Sequence, residues 1–196
     1  EDLRQAHAEI RLHEVREAWS FISTDSASLG GSAIYDLVAG DYTLIIDGSG
    51  DMVGDYSFRL WDIALATVLT PGTPVIGQLS PAVETDLYRF NAMAGDQYNF
   101  DSQSLTNSGA YWRLLDPYGQ LVFGPNYMGY DTGAITLTQT GTYTLLAEGY
   151  IYSYSVGTIN YQFNVACLGN VPLPPLPTGT ALALDSTVAG VLPSAL

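Results

Sequence analysis

Short apolar runs alternate with polar residues through the middle of the chain, and Gly, Pro, Asn or Asp punctuates them. That period-two habit is the mark of half-buried strands. In Asp86–Asn91, Leu87 and Arg89 alternate with Tyr88 and Phe90. The same reading places strands at Val75–Leu79, Gln97–Asp101, Tyr111–Leu115, Gln120–Phe123, Ala134–Thr138, Thr142–Ala147 and Asn160–Ala166. Asp116-Pro117-Tyr118-Gly119 carries type I turn chemistry, with Pro at the second position and Gly at the fourth. Many short strands of this kind predict an all-β fold: antiparallel sandwich, jelly-roll-like. The first stretch, Glu1 to Phe21, lacks Gly and Pro and taken alone reads as a helix.

Laying the chain on itself changes that picture. Ile10-Arg11-Leu12 fits Trp112-Arg113-Leu114 at an offset of 102, and Phe21 then falls on Phe123. Gly40 to Leu44 fits Gly141 to Leu145 at 101, and Tyr56-Ser57-Phe58 fits Tyr161-Gln162-Phe163 at 105. Thr67, Leu69, Val75, Gly77 and Leu79 fall on Thr180, Leu182, Val188, Gly190 and Leu192, all at 113. The repeat predicts strands from Glu9 to about His13 and around Trp19–Ile22, with a helix open before Ala8. It predicts tandem modules: 1–62 the back half of a first, 63–167 a complete second, 168–179 a Pro-rich linker and 180–196 the opening strands of a third. Four prolines between Pro172 and Pro177 make that linker stiff, unlike the short link Asp62–Leu65.

Composition narrows the function. Of 196 residues 47% are hydrophobic, enough for a core. Net charge is −14, and the six basic residues are all Arg. Such a surface repels phosphate backbones, which excludes nucleic acid as a partner. No run of eighteen apolar residues occurs, so no membrane insertion is expected. The single Cys167 cannot pair within the chain. At the end of an apolar strand pattern it is expected to be buried and inert.

The order of motifs resembles a known family. Gly77-Gln78-Leu79, Thr85 to Phe90, Ala94-Gly95-Asp96, Leu114 to Gly119, Gly141 to Leu145 and Tyr161-Gln162-Phe163 are similar to bacterial pre-peptidase C-terminal (PPC) domains. The resemblance covers the full copy and both partial ones. It implies noncatalytic jelly-roll modules, appended to secreted proteases or strung along large bacterial surface proteins. Some relatives bind collagen or calcium; no match here carries a collagen site over.

Candidate chemistry is sparse. His7 and His13 lack HExxH spacing, and no GxSxG elbow occurs. No enzymatic activity is expected. Asp47, Asp51 and Asp55 in a glycine loop present oxygens at spacings a calcium ion accepts, although an EF-hand's closing Glu is missing. The alternative is a solvated acidic hairpin. The equivalent region of the full copy has traded most acids for Tyr, which weakens calcium as a common cofactor. Tyr150, Tyr152 and Tyr154 alternate, and Tyr127 and Tyr130 follow Phe123 in a loop. These rings are candidates for contact with a glycan or protein, or for packing between modules.

The expectation is a noncatalytic structural or adhesive repeat module of a long extracellular or cell-surface bacterial protein, in contact with like modules and fit for a filament or surface layer. A glycan- or matrix-binding module and an accessory domain of a secreted protease are the alternatives. Neither chain end coincides with a module boundary. That predicts a window from a longer chain, or strand addition from a neighbouring chain at the incomplete ends.

Overall fold

The computed structural model describes residues 62–150 and 157–174, together with the backbone of four earlier strands. Those strands are β1 (His7–Arg11), β2 (Trp19–Ser23), β3 (Ala33–Leu37) and β4 (Thr43–Asp47). Asp62 caps a 3-10 turn, Ile63–Leu65, by accepting from the Ala64 amide at 2.9 Å. Nine strands follow: β5 (Thr67–Val68), β6 (Val75–Leu79), β7 (Thr85–Ala92), β8 (Asp96–Leu105), β9 (Ala110–Leu115), β10 (Leu121–Tyr127), β11 (Ala134–Thr136), β12 (Gly141–Gly149) and β13 (Ile159–Asn170). They form a five-stranded sheet in the order β10-β9-β12-β7-β5 and a four-stranded sheet in the order β11-β8-β13-β6. All neighbours are antiparallel except β5 and β7. The two sheets pack face to face as a sandwich.

The alternation along each strand explains the packing. Trp112, Leu114, Tyr143 and Leu145 from one sheet meet Phe100, Tyr161, Phe163 and Val165 from the other, and all are buried. Ring pairs bind the layers together, with Tyr88 to Phe163 at 5.4 Å and Phe90 to Tyr98 at 5.2 Å. Edge-to-face pairs of this kind add to area burial. The turn after β9 is built as its sequence requires. Asp116 Oδ1 accepts from the Tyr118 and Gln120 amides, and the Gly119 amide closes on the Asp116 carbonyl at 3.0 Å.

Gly77, one of the repeated positions, lies under the Tyr161 phenol, and a Cβ there would overlap that ring. Tyr161 Oη sits 2.6 Å from Tyr88 Oη and donates to Asp86 at 2.5 Å. Burial pushes the Tyr161 phenol far above its ordinary range, and its bond to Asp86 adds to the shift. The neutral phenol is therefore a fixed structural donor.

The structure corrects two details. Cys167 is exposed, not buried. Strand parity points it inward, but β13 has there run past the core, and the next residues through Asn170 are exposed as well. The strand also continues three residues into the stretch expected as linker, because Leu168–Asn170 still lie along β8, with Asn170 opposite Asp96.

In the earlier strands, β1 pairs antiparallel with β4, and β2 with β3. The offsets make β1 the counterpart of β9 and β4 that of β12, and those two also pair antiparallel. The registers differ by two residues, since Ile10 faces Leu44 whereas Leu145 faces Leu114. The counterparts of β2 and β3, namely β10 and β11, stand in different sheets. The pairing among β1 to β4 is therefore only partly that of the strands aligned with them by the sequence offsets.

Candidate contact surface

The inner residues of β9 and β12 leave Tyr111, Arg113, Leu115, Thr144, Leu146 and Glu148 on the outer side of the five-stranded sheet. In an antiparallel sandwich that side commonly meets water. Here Leu146 is 0% exposed, Glu148 3%, Arg113 4% and Leu115 5%. Leu87 and Ala66 are buried with them, and Ile63 packs against the group. A second apolar cluster thus lies outside the sandwich core. Residues of the 3-10 turn and the link after it cover part of it.

A charged pair sits in the same layer. Arg113 Nε donates to Glu148 Oε2 at 2.5 Å. Burial raises the Glu148 carboxyl above its usual range, against the pull of Arg113. An ion pair held out of water contributes little net stability, but it penalises loss of either partner heavily.

Beyond the pair runs a line of tyrosines. Tyr111 is the hub, 5.6 Å from Tyr150 and 6.1 Å from Tyr127, and Tyr127 meets Tyr130 edge-on at 5.2 Å. Tyr111 stands opposite Tyr127 on β10 and opposite Glu148 on β12, so strand pairing sets this line. Gly129 leaves room for the Tyr127 ring, which a Cβ at that position would meet. Tyr130 is 73% exposed and presents its phenol to solvent.

The surface therefore runs from wet tyrosines, through a buried ion pair, to a dry aliphatic patch. Among its described residues no nucleophile–base pair is formed. Among the described residues no three His, Cys, Asp or Glu side chains converge as a metal site would need.

No protein-family model matches the sequence, and no curated protein matches it. Solved structures similar to it include PliG of Aeromonas hydrophila, a periplasmic lysozyme inhibitor of g-type lysozyme. That protein is 14% identical, with a TM-score of 0.41, and the match covers 52% of this chain and 95% of that one. PliG of Salmonella Typhimurium, described in the same words, is 17% identical with a TM-score of 0.36, covering 51% and 97%.

Of the residues singled out in the sequence, Tyr127, Tyr130 and Tyr150 come together, linked by Tyr111, which sequence reasoning missed. Arg113 and Glu148 were missed too. A signal existed: Leu145-Leu146-Ala147 breaks the alternation, and a continuous apolar run implies burial on both faces. Asp47 closes β4 with its backbone opposite His7. Asp51, Asp55, Tyr152 and Tyr154 lie outside the described residues.

Proposed function

We propose that this chain is a noncatalytic structural module of a longer extracellular bacterial protein, within a tandem array of PPC-like domains. Its work is to extend the parent and to hold like modules in contact. One observation carries the reading: the outer face of the five-stranded sheet is dry, and the link between the first two copies packs onto it through Ile63 and Ala66. A connector fixed to a sheet face makes a stiff joint, whereas a free one makes a hinge. The pairing of β2 with β3 departs from the strands aligned with them, but that of β1 with β4, antiparallel like β9 with β12, supports the same reading. So does the position of β2 beside the 3-10 turn at this joint.

Tryptophan fluorescence tests it on the full chain in urea. Trp19 and Trp61 report on the first copy and Trp112 on the second. Chains retaining one set or the other should unfold at the same midpoint, and Leu146→Asp should separate the two. Midpoints that already differ in the unaltered face would sink the stiff-joint reading.

The exposed phenol of Tyr130 favours a second reading, contact with an uncharged glycan through the tyrosine line. Polysaccharide binding lost in Tyr130→Ala, with the unfolding midpoint retained, would support it.

A further inference from the structure

We infer that the free edge of β6 is a self-pairing site through which a second copy of this chain adds, strand to strand. The inference extends the like-module reading by naming the edge, the partner and the register. Four strands end the two sheets. β5 has two residues and β11 three, too few to template a partner. β10 is broken by register shifts and by Gly124-Pro125. The remaining edge, β6, is five residues long and regular.

The direction of its backbone groups follows from β13. Asn160 spends its carbonyl on the Thr106 amide at 3.0 Å and its amide on Thr106 Oγ1 at 2.9 Å, both on the β8 side. Its neighbours Ile159 and Tyr161 therefore turn toward β6, where they face Leu79 and Gly77. The intervening Ile76 and Gln78 turn their amides and carbonyls away from the sheet. No partner for these groups occurs among the described residues. The outward row stops cleanly at both ends: Pro74 has no amide, and the Ser80 amide is bonded to Glu84 Oε1 at 2.6 Å.

Proteins guard such edges with charge. Here β6 itself carries no charge, and the Glu84 carboxylate reaches the edge only at its Ser80 end. Residues 63–83 contain no charged side chain, in a chain with twenty acids. Ile76 is 79% exposed on this edge. The repeated segment Val188–Leu192 is uncharged as well.

The edge is also self-complementary. A two-fold axis beside Gly77 sets Ile76 opposite Gln78 of the second copy, both with outward-facing amides and carbonyls. Val75 then faces Leu79, and the two glycines meet where the absence of side chains permits close approach. The four-stranded sheets join into one, with apolar contacts on the core side and no like charges opposed. In a chain of net charge −14, a strand with no charged side chain lets two copies approach at low electrostatic cost.

The test is sedimentation equilibrium of the full chain under reducing conditions, which removes any disulfide through exposed Cys167. A reversible monomer–dimer equilibrium is expected. Ile76→Glu and Gln78→Pro should each weaken it at least tenfold, with the thermal midpoint of the monomer unchanged in the first and no lower in the second than in Gln78→Ala, which also loses the bond to Asn160. Amide exchange gives a second reading: Ile76 and Gln78 gain protection as concentration rises, while Ser80 is protected throughout. A chain monomeric at every concentration with both amides exchanging freely overturns the inference. So does a dimer indifferent to both substitutions. Neither outcome touches the joint at the 3-10 turn, which the unfolding midpoints report separately.

Discussion

The outer faces of the two sheets are opposites. On the five-stranded sheet, Leu87, Leu115 and Leu146 are dry and share their layer with a buried ion pair. On the four-stranded sheet, amide side chains bond one another across the strands. Gln78 meets Asn160 at 2.6 Å, Gln162 meets Gln103 at 2.8 Å, and Gln97 meets Thr136 Oγ1 at 2.9 Å. Cross-strand pairs of this sort contribute a few tenths of a kcal/mol each and keep the face polar, with the Asp101 carboxylate among them. One sandwich thus carries a face made to be covered and a face made to stay wet. Contact through the wet sheet falls to its edge, where β6 presents Ile76.

The strongest way to break the comparison is to remove one charge from the dry face. Arg113→Leu takes the guanidinium away from the buried Glu148 carboxylate and should cost about 3–5 kcal/mol in urea unfolding. The double substitution with Glu148→Leu should recover most of that loss, since two apolar side chains suit the layer. A single variant losing under about 1 kcal/mol would mean that water reaches the pair.

Next in size is Leu146→Ala. Truncating a fully buried leucine costs about 2–5 kcal/mol, depending on how far the site collapses. Ile76→Ala on the exposed edge of the other sheet is the matched control, expected within about 0.5 kcal/mol of the parent in the monomer. Equal losses at both positions would erase the distinction between the faces.

Much of the sandwich was readable because each inner face needs an apolar residue at every second position. Tyr88 and Phe90, or Tyr161 and Phe163, could point only inward. The turn at Asp116 was readable because its geometry depends on residues within five positions. The sheet order was not, because pairing joins strands far apart in sequence. For that reason the convergence of Tyr150 with Tyr127 and Tyr130 could not be foreseen: it passes through Tyr111 and requires β9 to lie between β10 and β12. Burial of Cys167 was misjudged for a related reason. Parity tells which side of a strand a residue faces, but not whether the opposite sheet extends that far.

Acid sharpens the comparison through sign. Glu148 on the dry face has its carboxyl raised by burial. The native state then holds its proton above the ordinary carboxylate range, where the unfolded chain has released it. This group makes stability fall as pH rises from its unfolded value through its native one. Asp96, at the start of β8, is the reverse. Asn170 Nδ2 and the Met93 amide donate to it at 2.8 Å each, and they lower its carboxyl. Its contribution is present above the unfolded value and is lost as pH falls through the native one. Glu148→Gln should therefore flatten the pH profile of the unfolding midpoint on the less acidic side, and Asp96→Asn on the more acidic side. Identical changes in the two profiles would contradict the assignment.

The smallest effect is expected in the middle of the wet face. Asn164 and Asn99 each bury an Oδ1 that no group among the described residues satisfies. Asn164 stands opposite Asp101, and Asn99 opposite Ala166, so the two amides are diagonal neighbours on adjacent strands. An acceptor taken from water without a partner costs about 1–3 kcal/mol. Removing it returns that cost, against a modest loss of packing from the shortened side chain. Asn164→Ala should accordingly lie within about 0.5 kcal/mol of the parent and can be stabilising. A loss above about 2 kcal/mol would show that the Asn164 amide is satisfied by ordered water. The wet face would then contain a bound-water network rather than a row of independent amides, and Asn99→Ala should show a loss of the same size.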